Sequence, residues 1–248
     1  MKHLMSLSTI DLIKMLIVLF LLAVPPWVNF RKYIKHGRIR INEFFLTLIF
    51  ILYLTATLFT ENLMPFIIVV MTLYIESKNR DFNDEDFYLR KLGKNTGKIF
   101  LYSIEFKIFI SLINAFVVVI LQKYNVSVEN QEVTKELLQS NWVETVIYLI
   151  MIVIIAPVLE EFIFRHLIYS NLAKKTGAIF AAIISSLLFT IPHYNIAGSV
   201  SFFGVGLFNC YLYDKYGYRA SVINHFVFNF TSAFLMLLMK GFHVDIGI

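Results

Sequence analysis

Six side chains in the second half of this 248-residue sequence have the types and spacing of a hydrolytic centre. Glu160 and Glu161 are adjacent, Arg165 follows one helical turn later, His193 stands directly after Pro192, and His225 and Asn229 are four residues apart. Hydrolysis of an amide needs a base to activate water, a donor for the tetrahedral oxyanion and a proton for the leaving amine. Glu160 is the candidate base, His193 a candidate to orient the water, and His225 with Asn229 the candidate oxyanion donors. At about 100° per residue of helix, Glu161 and Arg165 fall about 40° apart and can pair, while Glu160 is turned about 100° from Glu161. Arg165 is therefore expected to brace Glu161 and leave Glu160 free. The same residues permit a metal reading. Glu160, His193 and His225 match the His₂Glu ligand set of catalytic zinc, with water as fourth ligand and Glu161 as the spare base. The metal-free reading is preferred, because a zinc site would take up the base.

Taken one at a time, each group has a structural alternative. The glutamates and Arg165 suit a salt-bridged helix, His193 a membrane interface, and His225 with Asn229 an interhelical hydrogen-bonded patch. Glu105 and Lys107 face different directions and read as structural or snorkelling; His36, His166, His243 and Asp245 are expected at water or an interface. Asn224 and Asn195 are able to line the site, with nothing to single them out. What distinguishes the main set is its surroundings, because every member lies in an apolar run. The chain is 58% apolar and only 16% charged, with a mean hydropathy of +0.71, against roughly 45–50% and about 25% in soluble domains. A charge at mid-bilayer costs about 2.5–3.5 kcal/mol on insertion scales, so several in one bundle must face one another across a wet cavity.

The positioning elements follow from length, since about 20 apolar residues cross the hydrocarbon core. Eight runs qualify: 10–28, 43–60, 63–76, 99–122, 143–170, 178–193, 199–213 and 220–239. The third, sixth and seventh are short, and the third begins near Pro65. The first contains Lys14 and lacks a small-residue cleavage site, so it is expected to be a retained helix. Loops 29–42, 77–98, 171–177 and 214–219 hold 15 of the 22 Lys and Arg, and the alternate set holds four. That asymmetry predicts eight spans with both termini outside, and it assigns the basic residues to topology rather than to nucleic acid. Segment 77–98 reads as a solvated loop or surface helix, and 123–142 as a short amphipathic cap. The single cysteine, Cys210, excludes an internal disulfide and reads as a buried small hydrophobe. The expected fold is an all-α polytopic bundle of about eight helices with a polar intramembrane cavity, one domain over 1–248, in a cell membrane.

Glu160-Glu161-Phe-Ile-Phe-Arg165 fits EExxxR, Phe189-Thr-Ile-Pro-His193 fits FxxxH, and His225-Phe-Val-Phe-Asn229 fits HxxxN. In this order, each in an apolar span, they resemble the Abi or CPBP family of intramembrane proteases, which includes type II CAAX prenyl endopeptidases and bacteriocin-processing and immunity proteins. The stretch from Gly204-x-Gly206 through Tyr211 to Ser221 is similar too, and the resemblance covers about 140–232. It implies an intramembrane endopeptidase, described in the family both as metallo- and as glutamate-dependent. Richness in Ile, Phe, Lys and Asn suggests an AT-rich bacterial genome and a plasma-membrane enzyme acting on a lipid-associated or leader peptide. The rivals are a non-catalytic scaffold or immunity protein that binds a partner such as a cell-wall enzyme, and a proton-coupled transporter. The transporter is disfavoured by the absence of a repeat.

Overall fold

A computed structural model describes residues 8–36, 41–60, 62–78, 92–126 and 132–242, and all regular structure among them is helical. The helices are α1 (Thr9–His36), α2 (Glu43–Thr60), α3 (Leu63–Lys78), α4 (Thr96–Lys123), α5 (Glu132–Gln139), α6 (Trp142–Thr176), α7 (Ala178–Thr190), α8 (Ser199–Tyr216) and α9 (Tyr218–Gly241). Each expected span falls on one of them, and α5 occupies the segment read as a cap. Five helical stretches are long and apolar enough to cross a membrane: Thr9–Ile34, Glu43–Thr60, Gly93–Lys123, Trp142–Thr176 and Tyr218–Gly241. The protein is thus a multi-pass, all-α membrane protein. The shorter apolar helices Leu63–Ser77 and Ala178–His193 are two of the spans noted as short. Most of the charged segment 77–98 lies outside the described residues, as do Arg38, Arg40, His243 and Asp245.

The chain forms two compact units, Met1–Glu85 and Asp86–Ile248. In the first, α1 does not stop at the proline pair but continues through Pro25 and Pro26 to His36. Aromatic packing carries it past the missing N–H groups. Trp27 is buried and stacks on Phe50 and Tyr53 at 5.5 and 5.4 Å, and the Tyr53 hydroxyl donates to the Ala23 carbonyl at 2.9 Å. The unit also buries Glu76 of α3 completely, where it accepts from the Tyr33 hydroxyl.

The second unit contains all the residues singled out above. Two of its helix joints are single glycines at positive φ, Gly177 (90°) between α6 and α7 and Gly217 (87°) between α8 and α9, a conformation that L side chains resist. The expected loops 171–177 and 214–219 thereby shrink to one residue each. Helix α8 packs closely on its neighbours through small residues, as membrane helices do. A Cβ on Gly206 would meet Ser186 Cβ at 2.7 Å, and one on Gly204 would meet Ile110 Cδ1 of α4 at 2.6 Å. Cys210 is buried in a cluster with Tyr169 and Ala181.

Candidate active site

Helix α6 is not regular. Met151–Ile155 and Phe162–Tyr169 are π-helical and flank an α-helical segment, Ala156–Glu161, that carries Pro157 and both glutamates. The proline explains the first wide turn. The Ala156 N–H reaches back five residues to the Met151 carbonyl, and the same step sets the Ile152 carbonyl against Pro157, which has no N–H to give. Asn229 Nδ2 donates to that Ile152 carbonyl at 2.8 Å. In the second wide turn, Ser185 donates to the Phe164 carbonyl at 2.6 Å. Wide turns of this kind concentrate at functional sites, and here they set the direction of the carboxylates between them.

Glu161 is fully buried, and one of its oxygens is crowded with donors. Its Oε1 accepts from Asn209 Nδ2 at 2.8 Å and from His225 Nδ1 at 2.8 Å, and lies 3.1 Å from Arg165 Nη1. The pairing of Glu161 with Arg165 expected from their spacing is present. Arg165, also fully buried, donates through Nη2 to the Gly206 carbonyl at 3.3 Å and lies 4.5 Å from the centroid of the Phe189 ring. Asn224 Nδ2 donates to Asn209 Oδ1 at 2.6 Å. A buried ion pair is stabilised by further hydrogen bonds to its members; Asn209, His225 and the Gly206 carbonyl supply three, while Glu161 Oε2 and Arg165 Nε and Nη1 have no hydrogen-bond partner among the described residues.

Glu160 is different. It is partly buried, and its Oε2 lies 3.8 Å from His225 Nε2, too far for a direct hydrogen bond. A carboxylate only accepts, so Nδ1 of His225 carries the proton donated to Glu161, and Nε2 is turned toward Glu160. His193 is held in the same way, its Nδ1 2.9 Å from the Phe189 carbonyl. The His193 ring stacks on Phe202 at 4.2 Å. The Phe189 ring lies edge-on to His225 at 5.5 Å and 5.0 Å from the ring of His193, so one aromatic ring touches Arg165 and both histidines. The arrangement thus unites Glu160, Glu161, Arg165 and His225, links His193 to them through Phe189, and directs the Asn229 amide at the kinked segment of α6.

Sequence reasoning passed over Asn209 and the ring of Phe189, and it left Asn224 unassigned. Asn209 was legible by the criterion that found the others, as an amide in an apolar run. Asn195 accepts from the Gly198 N–H at 2.6 Å and shapes a loop instead. His166 is partly buried, its Nδ1 3.1 Å from the Tyr213 hydroxyl and its ring packed against Phe162 at 5.2 Å. Among the described residues, no group of three His, Cys, Asp or Glu side chains comes close enough to hold a metal ion.

Residues 142–231 match the family described as type II CAAX prenyl endopeptidase Rce1-like. The chain is also 37% identical over 62 residues to the Bacillus subtilis (strain 168) protein named "Putative membrane peptidase YdiL", a match covering 25% of this chain and 25% of that one. The aligned region thus spans about a quarter of that relative's length. No solved structure matches. Residues 142–231 are thus similar to the Rce1-like type II CAAX prenyl endopeptidases, in keeping with the resemblance of the three motifs to the Abi or CPBP family.

Proposed function

We propose that the protein is a CAAX-protease-like intramembrane endopeptidase, hydrolysing a peptide bond in a membrane-associated or lipidated peptide through a water held by Glu160 and His225. The observation that carries this reading is the placement of Glu160 Oε2 and His225 Nε2 3.8 Å apart, which makes them a pair of acceptors when the single ring proton is on Nδ1. A water that donates one hydrogen to each points its lone pair away from both, toward a scissile carbonyl. Glu160 takes the water proton as the C–O bond forms and returns it to the amine as the C–N bond breaks. His193 orients the water from its free Nε2. Asn229 has one amide hydrogen left beside the one given to Ile152, and that hydrogen is the donor for the oxyanion. Glu161 and Arg165 hold His225 in the required tautomer.

A second reading has one observation in its favour. Histidines that ligate metal typically donate their other ring N–H to a carboxylate or a backbone carbonyl, and His225 and His193 do so. The spacing of Glu160, His193 and His225 opposes it, and no step is assigned to a metal. The basic-loop count and the composition support a bacterial plasma membrane with both termini outside.

The test compares the wild-type protein with Glu160→Ala, both purified in detergent, for cleavage of a membrane peptide library with and without chelator. The expected result is cleavage by wild type alone, unaffected by chelator. Equal cleavage by both removes Glu160 from the chemistry. Loss of wild-type cleavage on chelation turns the assignment to a metal. No cleavage, with the cellular phenotype intact in the Ala variant, marks a scaffold that binds a partner.

A further inference from the structure

The two charges in the middle of α4 part company. Lys107 does not snorkel: its ammonium turns inward to α9, donating to Ser232 Oγ at 2.7 Å and lying 3.7 Å from the centroid of the Phe228 ring. Glu105 is exposed on the same apolar helix. Among the described residues, no hydrogen bond or ion pair engages its carboxylate. It lines a groove of about 370 Å³ between α4 and α8 whose other walls are all aromatic, Tyr102, Phe106 and Phe109 from α4 and Phe208 and Tyr211 from α8. Tyr102, Glu105, Phe106 and Phe109 follow at i, i+3, i+4 and i+7, one face of a helix. The Phe106 and Phe208 rings stack at 4.3 Å and join the two sides.

Charge and depth together select the occupant. Ser201 meets Asn114, Gly204 faces Ile110 and Phe208 meets Phe106, so α4 and α8 run antiparallel. A helical side chain leans toward the N-terminus of its own helix, so Glu105 and Tyr211 lean toward one another. At the Tyr211 end stands a cation: Lys215 donates to the Tyr211 hydroxyl at 2.8 Å and forms no ion pair with Glu105. The rings of Phe109 and Tyr211 and neighbouring Leu101 are exposed, so the groove opens on lipid. It begins within about two turns of the ends of both helices, the ends that carry Lys98 and Lys215, which is headgroup depth. A carboxylate facing lipid is costly without a partner, and aromatic faces attract an ammonium as a carboxylate does. We propose that this groove binds the headgroup of an aminophospholipid, its ammonium seated on Glu105 among the rings and its phosphate on Lys215. The site uses none of the residues of the proposed chemistry, so either stands without the other.

The full chain in detergent is titrated with dioleoyl-phosphatidylethanolamine and with its N-acetyl derivative, which lacks the ammonium, and bound lipid is counted by native mass spectrometry. The amine lipid is expected to bind about tenfold tighter, the scale of one charge-assisted hydrogen bond. Glu105→Gln, a change at an exposed position, brings the ratio of the two affinities to about one, whereas Glu105→Asp keeps a preference for the amine. Lys215→Gln weakens binding of both lipids. Equal binding of the two lipids by the wild-type protein, or a preference that survives Glu105→Gln, overturns the proposal. Tighter binding of the amine lipid by Lys215→Gln would make Lys215 itself the cation that Glu105 takes, and overturns it too. Benzoylphenylalanine at position 102, irradiated in cell membranes, should give an adduct of lipid mass; a protein-sized adduct instead would make the groove a helix interface and contradict the assignment.

Discussion

The two units each bury a carboxylate completely, and the difference between them separates a structural charge from a candidate working one. Glu76 in the first unit accepts from the Tyr33 phenol, a neutral donor that ties α3 to α1. Glu161 in the second gathers Arg165, Asn209 and His225 on one oxygen. Through the histidine it fixes a ring nitrogen, Nε2, that faces a second carboxylate, Glu160. Burial of a charge is common to both units. What the second unit adds is an adjacent acid that is neither ion-paired to Arg165 nor fully buried, set beside a histidine nitrogen that the buried pair holds in place.

The largest expected effect is on stability. Arg165→Met leaves Glu161 as an uncompensated buried charge, and breaking such a pair costs about 3–5 kcal/mol; thermal unfolding in detergent should show a large fall in midpoint. Asn209→Ala comes next. It removes one donor to Glu161 and strands Asn224, at about 1–3 kcal/mol for an unsatisfied buried group, and turnover should fall further than folding does, because His225 loses its fixed partner geometry. A fall in stability with unchanged kcat would mean that the network serves packing alone. The smallest effect belongs to the first unit. Glu76→Gln keeps an acceptor for Tyr33, so turnover should be unchanged and the midpoint only slightly lowered; loss of cleavage in this variant would erase the distinction between the two units.

Much of this distinction was legible in the sequence, and the reasons are local. The i,i+4 spacing of Glu161 and Arg165 fixes their pairing whether the turn is α or π, and the apolar runs mark the helices. The first wide turn of α6 was legible in Pro157, which has no N–H for the helix ladder; the second was not, because there Ser185 reaches the Phe164 carbonyl from another helix. Asn229 was expected as an oxyanion donor or as part of an interhelical hydrogen-bonded patch, and its bond to Ile152 is of the second kind. Glu76 stayed hidden because it closes an apolar run and resembles an interfacial residue. Helix α1 was expected to end near its prolines because the stacking of Trp27 on α2 is a long-range contact.

The central claim is that Glu160, not Glu161, handles the proton. The most direct measurement is kcat and thermal midpoint side by side for Glu160→Gln and Glu161→Gln, in detergent, against a cleavable membrane peptide. Glu160→Gln should keep its midpoint and lose turnover by about 10²–10⁴-fold, the usual contribution of a general base. Glu161→Gln should lower the midpoint, since it leaves buried Arg165 without a counter-charge. A Glu160→Gln variant that cleaves at the wild-type rate would contradict the account.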